Sequence, residues 1–228
     1  FFSYAPFNGL NFIRGFPQQQ VRHIDPVQFA APDGEALHLE VYQPPMSGQY
    51  PAVVMLYGGG WSRGDSSANE EFGRFLAARG YVVVALEYRL TPEYVFPAQL
   101  RDVEAGLAFV RDRADEYDID ADRIALVGWS AGAHLAMLTG FQGAAGVKSI
   151  VDFYGPVDLA AGYADPPVPD PLDVRQVLRA FLGGSPSELP EAYVAASPIT
   201  YVKAAEASSL PPTLLVYCGR VSIVEQKY

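Results

Sequence analysis

Two stretches, Val53-Val54-Met55-Leu56 and Val82-Val83-Val84-Ala85-Leu86, are apolar at every position rather than at every second one. A strand with water on one face alternates apolar and polar side chains. An unbroken apolar run belongs to a strand covered on both faces, as in a parallel sheet flanked by helices. Further strands are expected at 37–42, 124–128, 149–154 and 213–217, with the two apolar runs extending to 52–57 and 81–88. Between them lie helical patterns. Residues 69–78 carry Phe72, Phe75 and Leu76 on one face and stop before Gly80, and 97–117 repeat Leu100, Val103, Leu107 and Val110 with a period near 3.6. Strands alternating with helices predict an α/β chain with a mostly parallel, doubly wound sheet.

The rest of the chain is consistent with this and narrows the partners. At 228 residues, half of them hydrophobic and 18% charged, the chain is long enough to bury a real core and fits one domain or a domain with a modest insertion. No apolar run approaches the length of a membrane span. A net charge of −10 argues against gripping nucleic acid phosphates or anionic lipid. The single cysteine, Cys218, leaves the redox compartment open, and the cytoplasm is the default. Oligomeric state is not legible. Residues 1–35 read as an aromatic leader that packs over the core, and the absence of an initiator Met suggests upstream trimming. Residues 156–196 break the rhythm with seven prolines around a helical piece at 172–182. Proline cannot donate to a central ladder, so a lid or rim over the carboxyl edge of the sheet is expected there. Sheet core is assigned to 36–155 and 197–228.

Chemistry concentrates in two short motifs. Gly128-Trp129-Ser130-Ala131-Gly132 is a G-x-S-x-G pentapeptide between an expected strand and a helical stretch, the setting of a nucleophile held on a sharp turn. Glycines two positions either side leave room for the bend, and the following helix presents its positive end to developing negative charge. Tyr57-Gly58-Gly59-Gly60-Trp61 follows another strand, and its backbone N–H groups, with that of Ala131, are suited to an oxyanion hole. Neither glycine-rich nucleotide motif is present.

These two motifs, with Glu87-Tyr88-Arg89-Leu90-Thr91-Pro92-Glu93, Phe96-Pro97-Ala98, Asp120-Ala121-Asp122-Arg123-Ile124-Ala125, Ser197-Pro198-Ile199 and 210–216, resemble α/β-hydrolases. The likeness runs from about Leu37 to Tyr228 and is strongest to the branch of hormone-sensitive-lipase-like and feruloyl-esterase-like enzymes. It implies the α/β-hydrolase fold, Ser130 as nucleophile, and Gly59, Gly60 and Ala131 as oxyanion donors. It also implies a small carboxylic ester as substrate, with no metal and no organic cofactor. The sequence departs from the family pattern in three places. Tyr57 stands where a histidine is usual. Val221, in Gly219-Arg220-Val221-Ser222, occupies the position of the acid. No histidine follows Ser130 at the distance of the general base, the only histidines being His23, His38 and His134. His134, on the helix leaving the turn, reads as structural.

Asp158 is a second, weaker candidate for the acid, with a turn-forming role as the plainer assignment. Trp61, Trp129, Tyr154 and Asp158 are expected around an apolar acyl or aryl pocket. The expectation is serine ester hydrolysis, with the base supplied by chain beyond this sequence and this stretch alone inactive. The alternatives are a non-catalytic relative that binds a ligand or partner, and an amide-cleaving enzyme of formamidase type.

Overall fold

The computed structural model describes residues 17–204 and 209–217. Seven strands form one sheet: β1 (Arg22–Ala30), β2 (Leu37–Gln43), β3 (Tyr50–Leu56), β4 (Val82–Leu86), β5 (Ile119–Trp129), β6 (Val147–Phe153) and β7 (Thr213–Val216). Their spatial order is β1-β2-β4-β3-β5-β6-β7. The β1–β2 and β2–β4 pairs are antiparallel, and every other pair is parallel. The expected mostly parallel α/β sheet is therefore the observed one.

The two apolar runs lie side by side at its centre, with Val54 opposite both Val84 and Leu126. Because side chains alternate between faces, each run feeds two cores. Ala52, Val54 and Leu56 join Val82, Val84 and Leu86 on one face, under α2 (Ala98–Asp112) and α3 (Ala131–Phe141). Val53, Met55, Val83 and Ala85 face the other way, toward Ala77 and Ala78 at the end of α1 (Glu70–Ala77). Val54, Leu56, Val84 and Leu86 are fully buried, each worth about 1.5–3 kcal/mol of apolar burial.

Two features differ from expectation. Residues 22–30, assigned to the leader, form the edge strand β1, and residues 1–16 lie outside the described residues. β1 contains Asp25-Pro26, which obscures a strand pattern. The register slips between Ile24 and Val27, where an edge strand tolerates proline. Second, β5 begins at Ile119, five residues before the expected start, because Ile119 and Asp120 pair with Tyr50 and Pro51 ahead of an irregularity in register.

Between 156 and 196 the chain forms α4 (Leu159–Ala164), α5 (Val174–Leu182) and α6 (Pro190–Ala196), and no strand. α7 (Pro198–Ala204) follows. The apolar face of α5 carries Leu178, Phe181 and Leu182 into the same core as α2 and α3. α5 also approaches the glycine loop, since a Cβ placed on Gly60 would lie 3.5 Å from Val177.

Candidate active site

β5 ends at Trp129 and α3 starts at Ala131, leaving Ser130 alone in the turn with φ 50° and ψ −115°. A non-glycine residue held there carries strain of about 1–3 kcal/mol, so the surroundings must enforce it. Ser130 N–H donates to Phe153 O at 2.9 Å, and Ser130 O accepts from His134 N–H at 3.0 Å. The flanking glycines are required by close approach. A Cβ on Gly132 would sit 2.1 Å from Leu56 O, and one on Gly128 would sit 2.4 Å from Ala133 N. The helix behind Ser130 thus rests directly on the end of β3.

The glycine loop leaves that same strand end. Tyr57 stacks on Tyr88 with centroids 4.4 Å apart, and the two exchange hydrogen bonds: Tyr57 O–H to Tyr88 O at 3.2 Å and Tyr88 O–H to Tyr57 O at 2.8 Å. Burial pushes both phenols well above their ordinary pKa. A neutral pair of this kind braces the start of the loop. Gly59 adopts φ 132°, and a side chain there would strike Arg63 O. The N–H groups of Gly59, Gly60 and Ala131 have no acceptor among the described residues.

Ser130 opens onto a cavity of about 480 Å3 lined also by Gly58, Gly59, Arg63, Gly64, Ala68, Asn69, Trp129 and Tyr154. Trp129 is fixed by stacking on Phe153 at 5.3 Å and by an edge contact with Phe72. Tyr154 reaches the cavity from a second positive-φ position, 50°, and its N–H donates to Val216 O at 3.0 Å. Nothing in the sequence singled out Arg63 or Asn69. The available signal was their position in the loop that follows the glycines.

Two expected pocket residues lie elsewhere. Trp61 has φ 58°, which turns its indole into the core, where it stacks on Phe181 at 4.1 Å and meets the His134 ring edge-on. Asp158 caps α4 through Ala161 N–H at 2.9 Å and borders a separate cavity of about 450 Å3 with Tyr193, Ser197 and Lys203. It is the turn-forming residue rather than a neighbour of Ser130. Val221 and Cys218 lie outside the described residues.

None of the three histidines lines the Ser130 cavity. His134 is fully buried, and its Nε2–H donates to Ala196 O at 2.7 Å. Burial, only partly offset by that bond, lowers its pKa to about 4. His23 pairs with Glu40 at 2.9 Å and His38 with Glu87 at 3.3 Å, both at the antiparallel side of the sheet. Among the described residues no group of His, Cys, Asp or Glu is placed to hold a metal ion, and no helix is long and apolar enough to cross a membrane.

A buried carboxyl that sequence reasoning missed supports the Tyr154 turn. Asp152, at zero exposure, accepts from Gly155 N–H at 2.6 Å and lies 2.7 Å from Tyr217 Oη. Tyr217 Oη also contacts Gly155 O. The two acceptors share one hydroxyl proton, and a protonated Asp152 would supply a second. Burial raises the Asp152 pKa, against the pull of the Tyr217 and Gly155 hydrogen bonds, consistent with that form.

The model of the BD-FAE family matches residues 39–227. The probable carboxylic ester hydrolase LipM of Mycobacterium tuberculosis is 30% identical over 84% of this chain and 46% of its own length, so the chain spans less than half of that relative. A hyperthermophilic esterase from the archaeon Pyrobaculum calidifontis superposes with a TM-score of 0.70 at 29% identity, over 85% of this chain and 65% of the esterase. A bacterial heroin esterase superposes at 0.74 with 26% identity, over 91% and 68%. The strained serine turn, the braced glycine loop and these likenesses agree: the chain belongs to the BD-FAE family of α/β-hydrolases.

Proposed function

We propose that the protein hydrolyses carboxylic esters through an acyl-enzyme formed on Ser130. The observation that carries this is the strained Ser130, held from two sides and facing a cavity, beside three backbone N–H groups without acceptors among the described residues. Ser130 Oγ attacks the acyl carbon and the bond to the alcohol oxygen breaks. The serine proton passes through a general base to that leaving oxygen, and water then releases the acid by the reverse sequence. Gly59, Gly60 and Ala131 N–H groups stabilise the oxyanion of each tetrahedral intermediate. His23, His38 and His134 are each held away from Ser130, so the base is none of them. Names of the relatives, carboxylic ester hydrolase and esterase, support the same substrate class.

The test uses p-nitrophenyl esters and a fluorophosphonate probe on the intact protein and its Ser130→Ala variant. Ser130→Ala is expected to lower kcat by about a thousandfold or more and to abolish labelling. Equal rates and labelling in the two proteins would remove Ser130 as nucleophile.

A further inference from the structure

We infer that Arg63 and Asn69 form an anion-recognition point in the Ser130 cavity, so that the preferred substrates are esters carrying a free carboxylate, such as the hemi-esters of short dicarboxylic acids. The inference rests on Ser130 being the nucleophile and adds the substrate class. No Asp or Glu is among the residues that line the cavity. Arg63 makes no hydrogen bond or ion pair among the described residues, although acidic groups stand nearby in sequence. Asp65 accepts from Ser67 N–H at 2.9 Å and from its hydroxyl, and Glu70 is held by Arg74 at 2.7 Å. Arg63 is exposed at the mouth of the cavity, whereas Arg22 pairs with Asp118, Arg89 with Asp102 and Arg123 with Asp120.

Asn69 supplies a second donor. It stands at the N-cap of α1, where asparagine ordinarily accepts from the helix, yet its side chain makes no capping bond. Two polar side chains without partners thus share a cavity whose other walls are glycine, alanine, Trp129 and Tyr154. Arg63 is tied to the reacting centre by the chain itself, because its carbonyl lies where a side chain on Gly59 would be. In a protein of net charge −10, a free cation beside the oxyanion donors opposes the prevailing field and selects negative ligands. A carboxylate takes two parallel bonds from a guanidinium, and an amide N–H beside it completes the site. The apolar walls fit the short methylene body between that carboxylate and the ester.

The experiment compares mono-p-nitrophenyl glutarate with p-nitrophenyl valerate, matched in chain length and differing in charge. At low salt, Arg63→Gln is expected to lower the ratio of kcat/KM for glutarate over valerate about tenfold, chiefly through KM, with Arg63→Lys recovering part of it. A ratio that Arg63→Gln leaves in place overturns the inference. A second arm does not depend on turnover: tryptophan fluorescence of the Ser130→Ala variant is titrated with monomethyl glutarate and with dimethyl glutarate. Tighter binding of the monoester, lost in Ser130→Ala/Arg63→Gln, supports the anion site even if no ester is hydrolysed. Equal binding of the two ligands overturns it, whereas loss of hydrolysis and labelling alone counts against the nucleophile.

Discussion

Two polar clusters share the loop of residues 61–69, which sends Ser66 to one and Arg63 and Asn69 to the other, and they differ in where their hydrogen bonds go. At the antiparallel side, Glu40 accepts from Ser66 at 2.8 Å, Tyr42 at 2.8 Å and His23 at 2.9 Å, and the His23 ring stacks on Tyr42. Burial works to raise the Glu40 pKa, but these three donors hold it below its ordinary value. At the carboxyl edge, Arg63, Asn69 and three backbone N–H groups have no partner among the described residues around Ser130. The first cluster is complete without a ligand and acts as part of the scaffold. The second leaves its donors open to the cavity, as the proposed anion site requires. Polar groups closed on one another stabilise, and polar groups left open recognise.

The largest expected effect concerns a group outside both clusters, in the core beneath the glycine loop. His134 is held neutral in the core, so the stability it confers is whole above its ordinary pKa of 6.5 and is lost as pH falls toward about 4. The loss amounts to about 3 kcal/mol, read as the difference between parent and His134→Gln in urea unfolding from pH 7.5 to 4.5. Parallel pH curves for the two proteins would show that His134 does not set acid stability. A smaller loss, about 2 kcal/mol, is expected for Glu40→Ala, which strands the donors of Ser66 and Tyr42. Fluorophosphonate labelling of Ser130 should be unchanged in this variant, and a parallel fall in labelling would erase the distinction between the two clusters.

Asp152 gives the smallest effect and the finest test. Its raised pKa means that its contribution is whole below the ordinary value of 3.8 and is lost as pH rises through the raised one. Asparagine can mimic the neutral acid, accepting from Gly155 N–H and donating to Tyr217. Asp152→Asn should therefore leave stability at pH 7 within about 1 kcal/mol of the parent, on the favourable side, in thermal unfolding. A clear loss would mean that the carboxylate form is the one the fold requires.

What the sequence revealed was what neighbours in sequence decide. The unbroken apolar runs of β3 and β4 announce two covered faces, and Gly128 and Gly132 announce a turn where backbones touch. β1 escaped notice because Asp25-Pro26 breaks its pattern, and only pairing with β2 makes it a strand. Trp61 looked like a pocket residue because it is one of several aromatic side chains close to the two motifs. Its positive φ, which no local pattern records, sends the ring inward. Arg63 and Asn69 were invisible for the opposite reason: the role proposed for them rests on their having no partner among the described residues, and that is visible only once the surrounding chain is in place.

The stacking of Trp61 on Phe181 has a mechanical consequence. It ties the residue directly after Gly60 to a helix of the proline-rich segment, so the glycine loop and that helix share one packed aromatic contact. A smaller side chain at Phe181, which is not among the residues that line the Ser130 cavity, therefore loosens the glycine loop from a distance.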